Sequence, residues 1–209
     1  MINQIDKPQN PSKCLQAINM IPKTEILKKL TLLRQNDPDF QVFGAAKQGS
    51  YGHEYGLAPV ADLGLVESFE QALGRRLPED YREFILTIGN GGAGPGYGFA
   101  GLSHSDISQV EDYKQPFDLN DFKQDGEFMK YDDGTEFQGV DYSGDLRKGC
   151  KFLYTEGCAI DSCLILNAVE EQHVGKIITF AYTPLAIGRS FIDDYMPWLN
   201  WSVKQFGEG

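Results

Sequence analysis

The chain has 209 residues, of which 41% are hydrophobic and 12% aromatic, a composition that excludes a disordered or fibrous protein and supplies a packed core. Its formal net charge is −11, and residues 106–145 alone carry 12 acidic and 3 basic side chains. That balance argues against nucleic acid or an anionic membrane as direct partner and favours a basic protein.

In chain order, residues 1–21 read as a poorly ordered arm, with Pro8 and Pro11 among polar side chains and no apolar core of a secretory signal. One domain is expected over 22–209. From Pro22 to Asn36 the sequence PKTEILKKLTLLRQN places Ile26, Leu27, Leu30 and Leu33 on one helical face, and Asp37 and Pro38 end it. Gln41 to Gly44 is expected as a short strand, followed by a glycine- and tyrosine-rich loop that holds His53. A second helix, Ala61 to Leu73, rests on Val66, Phe69 and Leu73 with Gly74 as its stop, although Gly64 weakens its start.

The third helix, Pro78 to Ile88, is read letter by letter. Pro78 suits the first helical position, Glu79 and Asp80 face the positive end of the dipole, and Tyr81, Phe84, Ile85 and Ile88 make an apolar face. Gly89, Gly91, Gly92, Gly94, Gly96 and Gly98 then alternate with Asn90, Ala93, Pro95 and Tyr97, a composition for a tight helix-to-strand connection. Gly89, Gly91 and Gly94 also satisfy G-x-G-x-x-G. A dinucleotide site needs a strand before that motif and a helix after it, whereas here a helix precedes and Pro95 follows.

The acidic segment 106–145 includes Phe117, Phe122, Phe128, Tyr131 and Phe137, unlike a disordered tail. Two readings stand, a solvated insertion between strands or a surface for a positively charged partner formed by Asp118, Asp121, Asp125, Glu127, Asp132, Asp133 and Glu136. It contains no EF-hand pattern. Strands are expected at Lys151–Tyr154, Cys163–Asn167 and Lys176–Tyr182, the continuous apolar CLIL marking the middle one as central and covered on both faces. A last helix runs from Ser190 to Phe206, with Asp193 in a capping-box relation to Ser190 and Pro197 either kinking it or starting a second helix.

Catalytic chemistry finds little support. His53, His104 and His173 lie in separate polar loops, and no local motif joins a nucleophile to a base. Cys14, Cys150, Cys158 and Cys163 form no CxxC pair, so reduced thiols in a cytoplasmic protein are expected, Cys158 and Cys163 acting as buried small hydrophobes. Adjacent carboxylates such as Asp193 and Asp194 diverge on a helix and rarely make an acid/base couple. No metal or cofactor is expected, and no run of about 18 apolar residues would cross a membrane.

The stretch LPEDYREFILTIGNGGAGPGYGF resembles the signature of the SUKH superfamily, whose members include a fungal cell-wall-assembly regulator and bacterial immunity proteins. PFDLNDF, LYTEGCAIDSCLILN and SFIDDYMPWLNW follow in the family's order, so the resemblance covers about residues 60–206. It departs at Ile178, where relatives usually carry tryptophan. The resemblance implies an α+β domain with helices packed on a mainly antiparallel or mixed sheet, and Leu77, Pro78, Tyr81, Phe84, Asn90, Gly91, Gly92 and Gly94 as its structural signature. It also implies a non-enzymatic protein that neutralises a cognate toxin, and the acidic segment points to a nuclease as that toxin. A regulatory adaptor is the alternative and a hydrolase or metal-dependent enzyme the third reading.

Overall fold

The computed structural model describes residues 21–49, 51–119, 148–180 and 184–207, together with the backbone of 128–130 and 136–138. The N-terminal arm therefore lies outside the described residues. Helix α1 (Lys23–Asn36) buries Ile26, Leu30 and Leu33. At its end the buried Asp37 carboxylate accepts the Gln41 N–H at 2.8 Å and the Tyr55 hydroxyl. Capturing that N–H removes a donor a strand would use, and 41–44 forms turns in place of the expected strand.

Helix α2 (Leu63–Leu73) starts two residues later than expected because Asp62 is its N-cap, accepting the Leu65 N–H at 3.2 Å. Helix α3 (Glu79–Thr87) follows Pro78, which caps it instead of occupying its first turn, and buries Tyr81, Phe84 and Ile85. The glycine-rich connection forms a small antiparallel pair, β1 (Gly91–Gly92) with β2 (Phe99–Ala100).

Two short helices, α4 (His104–Ser108) and α5 (Val110–Lys114), come next. They correct the reading of 106–145 as one insertion, since its beginning belongs to the core. Asp106 is 6% exposed and accepts from Lys151 Nζ at 2.9 Å, the Tyr113 hydroxyl at 3.1 Å and the Ser103 N–H at 2.7 Å. A carboxylate can be buried when donors surround it in this way. Burial alone would raise its pKa, but Lys151 and Ser103 hold the carboxyl below its ordinary value. Further on, β3 (Phe128–Lys130) and β4 (Glu136–Gln138) pair antiparallel.

The main sheet is an antiparallel meander of β5 (Cys150–Gly157), β6 (Ile160–Ile165), β7 (Lys176–Phe180) and β8 (Pro184–Ser190), in that spatial order. The CLIL strand β6 is internal, with Leu164 in the helix-facing core and Ile165 in a second cluster with Cys150, Phe117, Ile178 and Phe180. Strand β8 was not expected. Its PLAIGRS sequence reads as a loop, yet proline and glycine are tolerated in a strand that ends a sheet.

Helix α6 (Phe191–Ser202) runs through Pro197 without restarting and passes into a π-helical turn at Val203–Gly207. The capping box is not formed. Ser190 Oγ donates to the Asp193 carboxylate at 2.9 Å, and the cap comes from α3, where Asp80 accepts the Ile192 N–H at 2.9 Å. Phe84 lies at the centre of an aromatic cluster, with ring centroids 5.3 Å from Phe99, 5.1 Å from Phe191 and 4.8 Å from Tyr195. Edge-to-face pairs of this kind add about 0.5 to 1.5 kcal/mol each beyond area burial. The result is an α+β fold, with helices packed on an antiparallel sheet.

Candidate functional site

Four segments that are remote in sequence meet at one cleft. Val42 and Phe43 come from the turn after α1, Pro95 and Gly96 from the glycine connection, Tyr154 and Glu156 from β5, and Arg189, Asp194, Pro197, Trp198 and Trp201 from β8 and α6. The space they enclose is about 350 Å³ and open to solvent.

Backbone close approach builds it. A Cβ at Gly96 would lie 2.2 Å from the Thr155 carbonyl oxygen, so only glycine lets the connection dock on β5, where the Tyr97 N–H donates to that oxygen at 3.1 Å. Asn90 clamps the other side of the connection, donating to the Leu102 carbonyl at 2.8 Å and accepting the Leu102 N–H at 2.7 Å. The buried Tyr195 hydroxyl donates to the Ala93 carbonyl at 3.0 Å, which fixes α6 against the connection and presents Trp198 and Trp201 on its next turns.

The walls are aromatic and wet. Phe43 is 56% exposed and Trp201 51%. Phe43 and Tyr51 each pack on Tyr97, with centroids 5.3 and 5.5 Å apart, extending the aromatic surface beyond the cleft. Behind Trp198 lies His53, edge-on at 5.7 Å, its Nδ1 accepting the Tyr55 N–H at 3.0 Å. Although it sits in a loop, His53 is buried rather than polar in its surroundings, and burial lowers its pKa to about 4.

Asp194 is half-buried in this cleft and accepts the Tyr154 hydroxyl at 2.7 Å. Burial pushes its carboxyl above the ordinary range, offset only in part by Tyr154 and the charge of Arg189. Among the described residues no ion pair joins Arg189 to it.

Of the partner-facing residues expected from the acidic segment, the described Asp118 does not line this cleft. Asp118 is half-buried beside Phe117, and Glu136 is in β4. Asp121, Asp125, Glu127, Asp132 and Asp133 lie outside the described residues. Of the structural signature, Leu77, Tyr81 and Phe84 are buried, Gly91 and Gly92 have φ of 109° and 103°, and Gly94 packs on Phe99. His104 is exposed and Ser103 turns to Ser105 and Asp106, so no Ser-His pair forms. Cys158 is exposed at the β5–β6 turn with φ of 52°, which corrects its reading as a buried hydrophobe. No group of three metal-ligating side chains occurs among the described residues.

Sequence reasoning missed the cleft because no local pattern marks a site assembled from four segments. One signal was present: Trp201 falls outside the apolar stripe of α6 and is half-exposed, and a tryptophan on the wet face of a helix calls for a reason.

A family model described as the SMI1 / KNR4 family (SUKH-1) matches residues 61–195. The chain belongs to that family. The match includes the glycine connection, the whole main sheet and Asp194, and ends short of both tryptophans. No curated protein and no solved structure gave a match. No helix among the described residues is long and apolar enough to cross a membrane.

Proposed function

We propose that this chain is a non-enzymatic cytoplasmic immunity protein that binds and blocks a cognate toxin. The carrying observation is the open cleft, where Phe43 and Trp201 stand half-exposed beside the partly buried Trp198, in a domain whose family includes such proteins. Tryptophan and other aromatic anchors dominate binding energy at protein interfaces, and half-exposed ones are the groups a partner would cover.

The acidic segment supplies the second element of the reading. Net −9 over residues 106–145 suits a toxin with a basic surface. A nuclease has such a surface because its cleft must hold a phosphate backbone, and Asp118, Asp121, Asp125, Glu127, Asp132, Asp133 and Glu136 would then mimic that charge. The test is to express a toxin domain encoded beside this chain's gene, alone and together with the chain. Restored growth and a stable complex on gel filtration are the expected results; growth arrest that the chain does not relieve would overturn the reading.

A further inference from the structure

The lining of the cleft carries a more specific recognition chemistry. Asp194 accepts one hydrogen bond, from Tyr154, among the described residues, whereas a carboxylate has about four acceptor positions. Phe43, Trp198 and Trp201 line the same cleft, and the exposed Glu156 brings a second carboxylate to it. Among the described residues of the lining Arg189 is the one basic side chain beside two carboxylates, and the chain as a whole is at −11. A planar guanidinium matches both features, since it stacks on aromatic rings and donates two parallel N–H bonds to a carboxylate. An anion would meet two carboxylates here, and a purely apolar side chain would leave Asp194 short of donors.

We propose that the cleft is an arginine-recognition site, in which an arginine side chain of the protein partner inserts between Trp198 and Trp201 and pairs with Asp194. The assignment rests on the cleft being the binding face. It adds that the partner's contact is a guanidinium instead of a generic apolar residue.

Both of the chain's tryptophans line this cleft, so selectively excited tryptophan fluorescence reports on it. The probe is the peptide acetyl-Gly-Arg-Gly-amide, titrated against the full chain, with the same peptide carrying citrulline as the neutral isostere. One side chain is expected to bind in about the millimolar range. The citrulline peptide and the Asp194→Asn variant should each weaken binding on the order of tenfold, while Arg189→Gln, which removes the competing cation, should tighten it. Amide shifts in a two-dimensional NMR titration give the same readout for Trp201→Ala, where one fluorophore is lost, and that variant should also bind more weakly. Equal binding of arginine and citrulline, no weakening by Asp194→Asn, or loss of binding in Arg189→Gln would overturn the assignment. Because no toxin is present, failure here alongside intact neutralisation removes arginine recognition and leaves the immunity reading in place.

Discussion

Asp193 and Asp194 are neighbours with opposite surroundings. Asp193 is exposed and takes the Ser190 hydroxyl, while Asp194 turns inward to Tyr154 and is held protonated to a higher pH by burial. A carboxyl raised in the folded state disfavours folding once ionised, and that effect is relieved as pH falls. Asp194→Asn is therefore expected to be at least as stable as wild type at pH 7 by urea unfolding, the pattern of a residue kept for binding. His53 has the other sign. Its folded pKa is lowered from 6.5 to about 4, so the unfolded chain binds the proton first and stability falls as pH drops through that window, by roughly 3 kcal/mol. Denaturation midpoints measured from pH 7 to 4 should show this slope in wild type and a flatter one in His53→Gln. Gly92 makes a steric prediction. At φ of 103°, with a Cβ that would fall 2.3 Å from the Gly56 carbonyl oxygen, Gly92→Val is expected to destabilise by on the order of 1 to 3 kcal/mol or more in thermal unfolding.

Among the elements, α1, α2 and α3 were legible because their signals are local: an apolar stripe of Ile26, Leu30 and Leu33, of Val66, Phe69 and Leu73, and of Tyr81, Phe84 and Ile85. Strands β5, β6 and β7 were also readable from apolar and aromatic runs such as KFLY, CLIL and KIITF. What was not legible depends on distant partners. Asp106 looks like one more solvated carboxylate until Lys151, 45 residues later, neutralises it, so α4 and α5 were assigned to an insertion. β8 is a strand because β7 offers it a ladder, against its own composition. The start of α6 shows the same dependence, since its N-terminal N–H is satisfied by Asp80 from α3 rather than by Ser190. Asp80→Ala is expected to destabilise the protein by about 1 to 2 kcal/mol, with Ser190→Ala causing a smaller loss, as read by chemical denaturation of the two variants.

At the scale of the molecule, one apolar cluster draws on residues from Ile21 to Val203, and we propose that residues 22–209 unfold as one unit. Thermal unfolding followed by far-UV circular dichroism and by tryptophan fluorescence should give coincident transitions, and two separated ones would contradict the single-domain reading. The whole-chain charge of −11 governs approach, whereas the cleft governs the fit. Association with the toxin should slow with added salt, and changing Asp125, Asp132 and Asp133 to asparagine should remove much of that dependence. Rates insensitive to salt in both proteins would reduce the acidic segment to a solvated insertion. The central claim is that neutralisation runs through the aromatic cleft. Its most direct test is an inhibition titration of the purified cognate toxin by wild type and by Trp201→Ala, a half-exposed position whose loss should leave the melting temperature nearly unchanged. The account predicts full inhibition at one equivalent of wild type and roughly tenfold or greater weakening in the variant; equal inhibition by the two proteins would contradict it.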